Sequence, residues 1–93
     1  MRRAARIDAN QGEIVSALRS VGALVQPLSE VGKGVPDLLV GIHGRLLLLE
    51  CKDGAKPPSE RRLTPEQEAW HAAWAGFPVW VVTDVEQALG KVK

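Results

Sequence analysis

The stretch that decides the fold runs from residue 36 to residue 52 and reads PDLLVGIHGRLLLLECK. Two apolar runs in it, Leu38–Val40 and Leu46–Leu49, flank a short segment that contains two glycines. Glycine tolerates the positive φ of a tight turn, so the pattern predicts a β-hairpin. We expect Val40 to pair with Arg45 across the turn.

Two carboxylates and one ammonium group lie at the open end of this hairpin. In the expected register Asp37 faces Leu48, and Glu50 is its diagonal neighbour at about 7–8 Å. Side chains alternate along a strand, so Lys52 shares the face of Glu50. Burying two unpaired carboxylates is costly, and a divalent cation between them removes the repulsion. Hard oxygen ligands favour Mg²⁺ or Mn²⁺ over zinc.

Such a cation supports phosphodiester hydrolysis as a Lewis acid. Lys52 would then orient or deprotonate the attacking water, or stabilise charge that develops on the phosphate. The other interpretation is a surface hairpin with ordinary solvated charges. Pro36 before Asp37, and the leucine run that leads directly into Glu50, favour the metal site.

This arrangement resembles the PD-(D/E)XK nuclease motif, with Pro36-Asp37 followed by Glu50-Cys51-Lys52. More narrowly, Gly34–Leu38, Leu63–Gln67 and Trp70 are similar to the VRR-NUC branch in its minimal single-domain form, which phages and bacteria carry. The resemblance extends from about residue 11 to residue 89. It implies an α/β fold with a restriction-endonuclease-like αβββαβα core, in which helices flank a mixed sheet.

The resemblance also assigns roles to single residues. Asp37 and Glu50 would bind the metal, and the backbone carbonyl of Cys51 would complete its shell. The implied catalytic residues are Glu13, Asp37, Glu50, Lys52 and Gln67. Glu13 and Gln67 each have a second interpretation as helix-capping residues, since Asn10–Glu13 and Thr64–Gln67 both have the form of a capping box.

The elements around the hairpin follow from periodicity and capping signals. A first helix from about Ala9 to Val21 carries an apolar stripe, and a strand follows it over residues 23–26. Thr64 begins a helix that ends near Ala75, and Val79–Thr83 is a clear strand. A last helix covers residues 84–89. A strand that follows a crossover helix runs parallel to an earlier strand. The aromatic residues Trp70, Trp74 and Phe77 share one side, which predicts a core or partner-facing role.

Length and composition agree with one small domain over residues 1–93. The 93 residues are 45% hydrophobic, which suffices for a single core. We expect a cytoplasmic protein of a phage-infected or bacterial cell with no membrane contact, because no long apolar run or leader is evident. The single cysteine, Cys51, cannot form an internal disulfide and is expected to be buried.

The net charge of +1 says little, but its distribution is informative. Basic residues cluster near the start of the chain and in the polar loop over residues 53–62. Candidate DNA contacts are Lys33, Lys56, Arg61 and Arg62, together with Arg2, Arg3 and Arg6. For Lys33 and for the loop, the alternative is an ordinary solvated role. Lys91 and Lys93 are better explained as solubilising charges.

These observations predict a Mg²⁺- or Mn²⁺-dependent, structure-selective DNA endonuclease. One active site cuts one strand, and so small a chain has little surface for branched DNA. A homodimer with two sites meets both requirements, and the resemblance to VRR-NUC nucleases then implies a Holliday-junction-type resolvase. The alternative is a non-catalytic DNA-binding or interaction module on the nuclease fold.

Overall fold

The structure is a computed structural model that describes residues 7–93; the predicted basic group Arg2, Arg3 and Arg6 lies outside the described residues. The elements follow the predicted order. They are helices α1 (Gln11–Ser20), α2 (Pro65–Ala73) and α3 (Val85–Lys91), and strands β1 (Leu24–Pro27), β2 (Leu38–Ile42), β3 (Arg45–Cys51) and β4 (Val79–Val82). Within the described part of the chain, no helix is both long and apolar enough to cross a membrane.

The four strands form one mixed sheet in the order β1-β2-β3-β4. β1, β2 and β3 are antiparallel neighbours, and β4 is parallel to β3 as the crossover predicts. This confirms the expected α/β class. The core lies between one sheet face and helices α1 and α3, and it includes Ile14, Leu18, Leu38, Val40, Leu49, Val82 and Ala88. The predicted burial of Cys51 in this layer is also confirmed.

The hairpin register differs from the expected one by two residues. Ile42 pairs with Arg45 and Val40 with Leu47, so the predicted pairing of Val40 with Arg45 is wrong. The turn consists only of His43 and Gly44, whose φ values are 51° and 74°. Positive φ at both central positions is typical of a two-residue hairpin turn that matches the strand twist. The glycine at position 41 therefore stays within β2 instead of opening the turn.

The start of α1 also corrects the sequence analysis. Asn10 is the N-cap residue, but its side chain makes no capping hydrogen bond. Its amide instead donates to the backbone carbonyls of Lys52 (3.1 Å) and Thr83 (2.9 Å). The predicted capping box with Glu13 is therefore not formed. Asn10 has a helical backbone conformation (φ −86°, ψ −3°) instead of the extended one of a capping residue, and its Oδ1 accepts no hydrogen bond from the described residues. The amide of Asn10 joins the helix to the ends of β3 and β4.

The helix α2 is well capped but poorly covered. Thr64 and Gln67 form the predicted capping box. No residue of α2 is buried, and beyond its end Trp74 and Phe77 are 43% and 63% exposed. The rings of Trp70 and Trp74 stack at 4.8 Å between centroids. The core role predicted for these aromatic residues is wrong, and the partner-facing role stays a prediction.

The loop before β2 rests directly on the start of α2. Gly32, Lys33 and Gly34 all have positive φ values, of 70°, 58° and 82°. A Cβ atom at Gly34 would overlap the backbone carbonyl of Glu66, whereas one at Gly32 would meet open space. Gly34 thus allows the loop that leads into Asp37 to approach the first turn of α2 closely.

This contact gives a matched pair of variants. Gly32→Ala should lower the free energy of unfolding by about 1–2 kcal/mol, since it forces an alanine into the left-handed region. Gly34→Ala carries the same conformational cost and adds the overlap with Glu66, so it should lose distinctly more stability. Urea unfolding measures both. Equal losses would show that the close approach to α2 contributes nothing.

Candidate active site

The two predicted carboxylates face each other across the hairpin. The last pair of the β2–β3 ladder is Leu38 with Leu49, so one more step along the same register sets Asp37 opposite Glu50. Strand neighbours in this position have Cβ atoms about 4.5–5.5 Å apart. The Asp37 carboxylate is fixed by the backbone N–H of Cys51, which donates to Asp37 Oδ2 at 2.8 Å. The acidic pair is thus closer than the diagonal arrangement that the sequence suggested.

Glu50 is the most constrained group of the site. It is only 2% exposed. Gln67 Nε2 donates to Glu50 Oε2 at 3.3 Å, and Lys52 Nζ lies 3.9 Å from the same oxygen. Glu50 Oε1 is buried without a hydrogen-bond partner in the structure. Burial, and secondarily Asp37, raise the pKa of Glu50 to about 9, although Lys52 opposes the shift. The charged form of Glu50 therefore lacks sufficient positive charge around it.

Gln67 connects the helix to the hairpin. Its Oε1 accepts a hydrogen bond from Lys52 Nζ at 2.9 Å and another from the backbone N–H of Thr64 at 2.8 Å. The same side chain donates to Glu50. Gln67 therefore closes the capping box and also reaches the site, so the two interpretations of this residue hold together. The cap fixes its rotamer, and the rotamer positions the ammonium group of Lys52.

The remaining predicted site residues lie outside this hydrogen-bonded group. Glu13, Lys33 and Arg62 are exposed. Lys56 Nζ lies 4.0 Å from Asp8 Oδ1, and Arg61 Nε donates to the Lys56 carbonyl at 2.8 Å. The basic loop is thus partly ordered by its own contacts, and its binding role stays a prediction. Glu13 lines a cleft with Asp53 and Arg61, and its catalytic role also stays a prediction.

Sequence reasoning missed the tertiary contacts of three polar residues at the start of α1. Asp8 precedes the helix, and Asn10 ties it to the strand ends. Gln11 is buried, and its Nε2 donates to Ser29 Oγ at 3.3 Å. One signal was available, because Gln11 falls in the same helical row as Ile14 and Leu18. A polar residue in an apolar stripe indicates a buried polar contact.

His71 of α2 is partly exposed and lies near Lys52. It lies one helical turn after Gln67, and its Nε2 is a buried atom with no hydrogen-bond partner in the structure. Burial, and then the charge of Lys52, lower the pKa of His71. Because burial and the Lys52 charge lower the pKa of the imidazole, the neutral form of His71 is favoured.

The donor set fits a hard divalent cation. Among residues 7–93, no cluster of three or more His, Cys, Asp or Glu side chains is arranged to hold a metal ion. The predicted site has only two carboxylates and adds a backbone carbonyl, which agrees with that finding. The unpartnered oxygen of Glu50 beside Asp37 is the kind of acceptor that a cation satisfies. Cys51 itself is unsuited as a sulfur ligand, because burial, and secondarily Asp37, raise the pKa of its thiol to about 12.

Comparison with known proteins identifies the fold. No protein-family model matches the sequence, and no curated protein matches it significantly. A solved structure described as a VRR_NUC domain superimposes with a TM-score of 0.62 and 28% identity, over 89% of this chain and 94% of that chain. The sheet order, the crossover helix and the acidic hairpin define an α/β chain of the nuclease type. The predicted resemblance is confirmed: the chain has the fold of a VRR_NUC domain.

The raised pKa of Glu50 makes stability depend on pH in a defined direction. Below its ordinary value of 4.5 the carboxyl group is protonated in both the folded and unfolded states. As the pH rises from there to about 9, Glu50 ionises in the unfolded chain but stays protonated in the folded one. The folded state therefore loses stability relative to the unfolded state across this interval. Melting temperatures in EDTA should therefore fall across this interval, and Glu50→Gln should flatten the decline.

Glu86→Gln serves as the matched control, because it removes an exposed carboxylate on α3. It should keep the pH profile of the unmodified protein. Parallel profiles for Glu50→Gln and the unmodified protein would contradict the proposed protonation of Glu50.

Proposed function

We propose that the protein is a Mg²⁺- or Mn²⁺-dependent DNA endonuclease that hydrolyses phosphodiester bonds. The observation that carries this proposal is the pair of facing carboxylates with Lys52 beside it. Glu50 is almost fully buried, and one of its oxygens has no hydrogen-bond partner among residues 7–93. A structural ion pair would satisfy that oxygen, whereas a metal-binding carboxylate leaves it for the cation.

Asp37, Glu50 and the backbone carbonyl of Cys51 would hold the ion. When bound, a divalent cation supplies Lewis-acid activation of the phosphate and of a water molecule. The Cys51 N–H keeps the Asp37 carboxylate oriented toward the site. Gln67 holds the Lys52 ammonium group beside Glu50. From there Lys52 can stabilise the negative charge that develops on the phosphate oxygens, or orient the attacking water.

The DNA backbone would contact the exposed basic residues around this site. Lys33 occupies the loop that leads into Asp37, at a positive φ of 58° that a lysine rarely adopts. Arg62, Arg61 and Lys56 belong to the loop that follows Lys52 directly. Both loops therefore flank the acidic pair, which supports a role in binding phosphates. The bacterial cytoplasm, where such DNA is available, is the proposed location.

The proposed substrate is branched DNA of the Holliday-junction type, cut by a homodimer. Each chain carries one acidic pair, so two cuts require two chains. Exposed apolar side chains support self-association. Leu24 and Leu46, on the sheet face opposite the core, are 78% and 66% exposed, and Phe77 just before β4 is 63% exposed. Exposed apolar surface of this kind is typical of an interface.

Lys52 provides the first test. Lys52→Ala should reduce Mn²⁺-dependent nicking of a four-way junction to below about a tenth of the unmodified rate, while DNA binding changes only a few fold, because Lys52 acts on the transition state. Lys93→Ala, which removes an exposed lysine near the end of the chain, should leave both unchanged. Binding without nicking by the unmodified protein in Mn²⁺ would instead indicate the non-catalytic module.

Sedimentation tests the homodimer. At micromolar concentration the protein should sediment at twice the chain mass of 10.1 kDa. Phe77→Asp should shift the equilibrium toward the monomer, because it introduces a charge into an exposed apolar surface. A monomer that still cleaves junctions at both strands would contradict the dimer.

A further inference from the structure

The aromatic side chains of this protein lie together and outside the core. The chain has three tryptophans, one phenylalanine and no tyrosine, and all four rings belong to an aromatic cluster of Trp70, Trp74, Phe77 and Trp80. Large aromatic side chains usually contribute strongly to a core, but the described core is built from aliphatic residues and Cys51. Three of the four rings are instead exposed. Folding alone therefore does not account for the aromatic cluster.

The rings of the aromatic cluster border a cleft. Trp70 and Trp74 lie nearly parallel, with 8° between their planes and 4.8 Å between their centroids. Phe77 packs against Trp74 at 5.6 Å between centroids, with the two planes tilted by 58°. The adjacent cleft has a volume of about 550 Å³ and is lined by His71 and residues 74–80. A cleft in this size range accommodates a small planar ligand.

The charge around this cleft suits a ligand that carries phosphate. None of the described residues that line it is acidic. Lys91 Nζ lies 4.1 Å from the centroid of the Trp80 ring, which sets a positive charge beside the cleft. Aromatic rings next to positive charge are the combination with which proteins bind the bases and phosphates of single-stranded nucleic acids.

Helix α2 connects the aromatic cluster with the candidate active site. Gln67 of this helix contacts both Lys52 and Glu50. His71 follows Gln67 by one helical turn and Trp74 by two, so the three residues share one side of the helix. At a rise of about 1.5 Å per residue, Trp74 lies about 10 Å along the axis from Gln67. Stacked DNA advances about 3.4 Å per nucleotide, so a base about three nucleotides from the scissile phosphate would reach Trp74.

We propose that the aromatic cluster stacks an unpaired base of the DNA substrate, about three nucleotides from the phosphate that is cut. This inference rests on the proposed function and narrows its substrate to DNA with unpaired bases near the cleavage point. Such a base costs less to bind than one that must first leave a duplex. A second copy of the chain is the competing occupant. The proposed dimer surface meets this cleft only at Phe77, since Leu24 and Leu46 line a separate cleft, so Trp74 distinguishes the two occupants.

Fluorescence anisotropy with labelled DNA tests the proposal. One probe is a duplex with a short bulge of unpaired nucleotides, and the other is the same duplex fully paired. Both are titrated in EDTA to prevent metal-dependent cleavage. The unmodified protein should bind the bulged duplex more tightly. Trp74→Leu keeps an apolar side chain but removes the ring, so it should weaken binding of the bulged duplex about 5- to 150-fold, the effect of losing one stacked base. Binding of the paired duplex should change less than about twofold.

Trp74→Phe is the matched control, because it keeps an aromatic ring at the same position. It should retain most of the preference for the bulged duplex. Both variants should melt within a few degrees of the unmodified protein, which excludes a loss of folding as the cause.

The outcomes separate this inference from the proposed function. Equal affinities of the unmodified protein for the two duplexes, or unchanged binding of the bulged duplex by Trp74→Leu, would overturn the stacking role and leave the nuclease proposal intact. Equal losses for both duplexes, with Trp74→Leu sedimenting as a monomer where the unmodified protein is a dimer, would assign Trp74 to the contact between two chains. If the unmodified protein binds neither duplex, in EDTA or in Mn²⁺, both proposals fail.

Discussion

The structure depends on one electrostatic conflict, the burial of Glu50 opposite Asp37. Removing an ionised carboxylate from water costs several kcal/mol unless other groups compensate it. Lys52 lies on the same face but 3.9 Å away, and Gln67 contributes only one long hydrogen bond. Because this compensation is incomplete, burial raises the pKa of Glu50 to about 9. Such an arrangement destabilises the isolated fold, and this cost is what makes the proposed cation a plausible part of the site.

The geometry of the hairpin explains why the sequence alone could predict that the two carboxylates lie together. The predicted register was wrong by two residues, because Gly41 was taken as part of the turn. A shift of two residues keeps every side chain on its own face, whereas a shift of one would exchange the faces. Asp37, Glu50 and Lys52 therefore share a face in both registers. What changed was the relation of the carboxylates, which became directly opposed, and only the conformation of the turn could settle that.

The start of α1 shows that a local sequence pattern does not always predict local structure. Asn10 and Glu13 have the spacing of a capping box, as Thr64 and Gln67 do, but only the second pair forms one. The difference is one of backbone conformation, since Thr64 is extended whereas Asn10 is helical. The side chain of Asn10 is held by the carbonyls of Lys52 and Thr83, which are far away in sequence. The exposure of α2 could not be predicted from the sequence for a similar reason. A helical stripe reveals which residues share a side, but not whether another element covers that side.

The weak coverage of α2 also affects how the site is held together. Parallel strands are usually covered on both faces, yet Val81 in β4 is 39% exposed, and Phe77 just before β4 is 63% exposed. Gln67 must nevertheless hold Lys52 in place, so its precision cannot come from deep packing of the helix. It comes instead from the capping box and from the contact of Gly34 with Glu66. The loop into Asp37 and the helix that carries Gln67 therefore position each other. The contact between them depends on Gly34, because a larger residue there would overlap the Glu66 carbonyl.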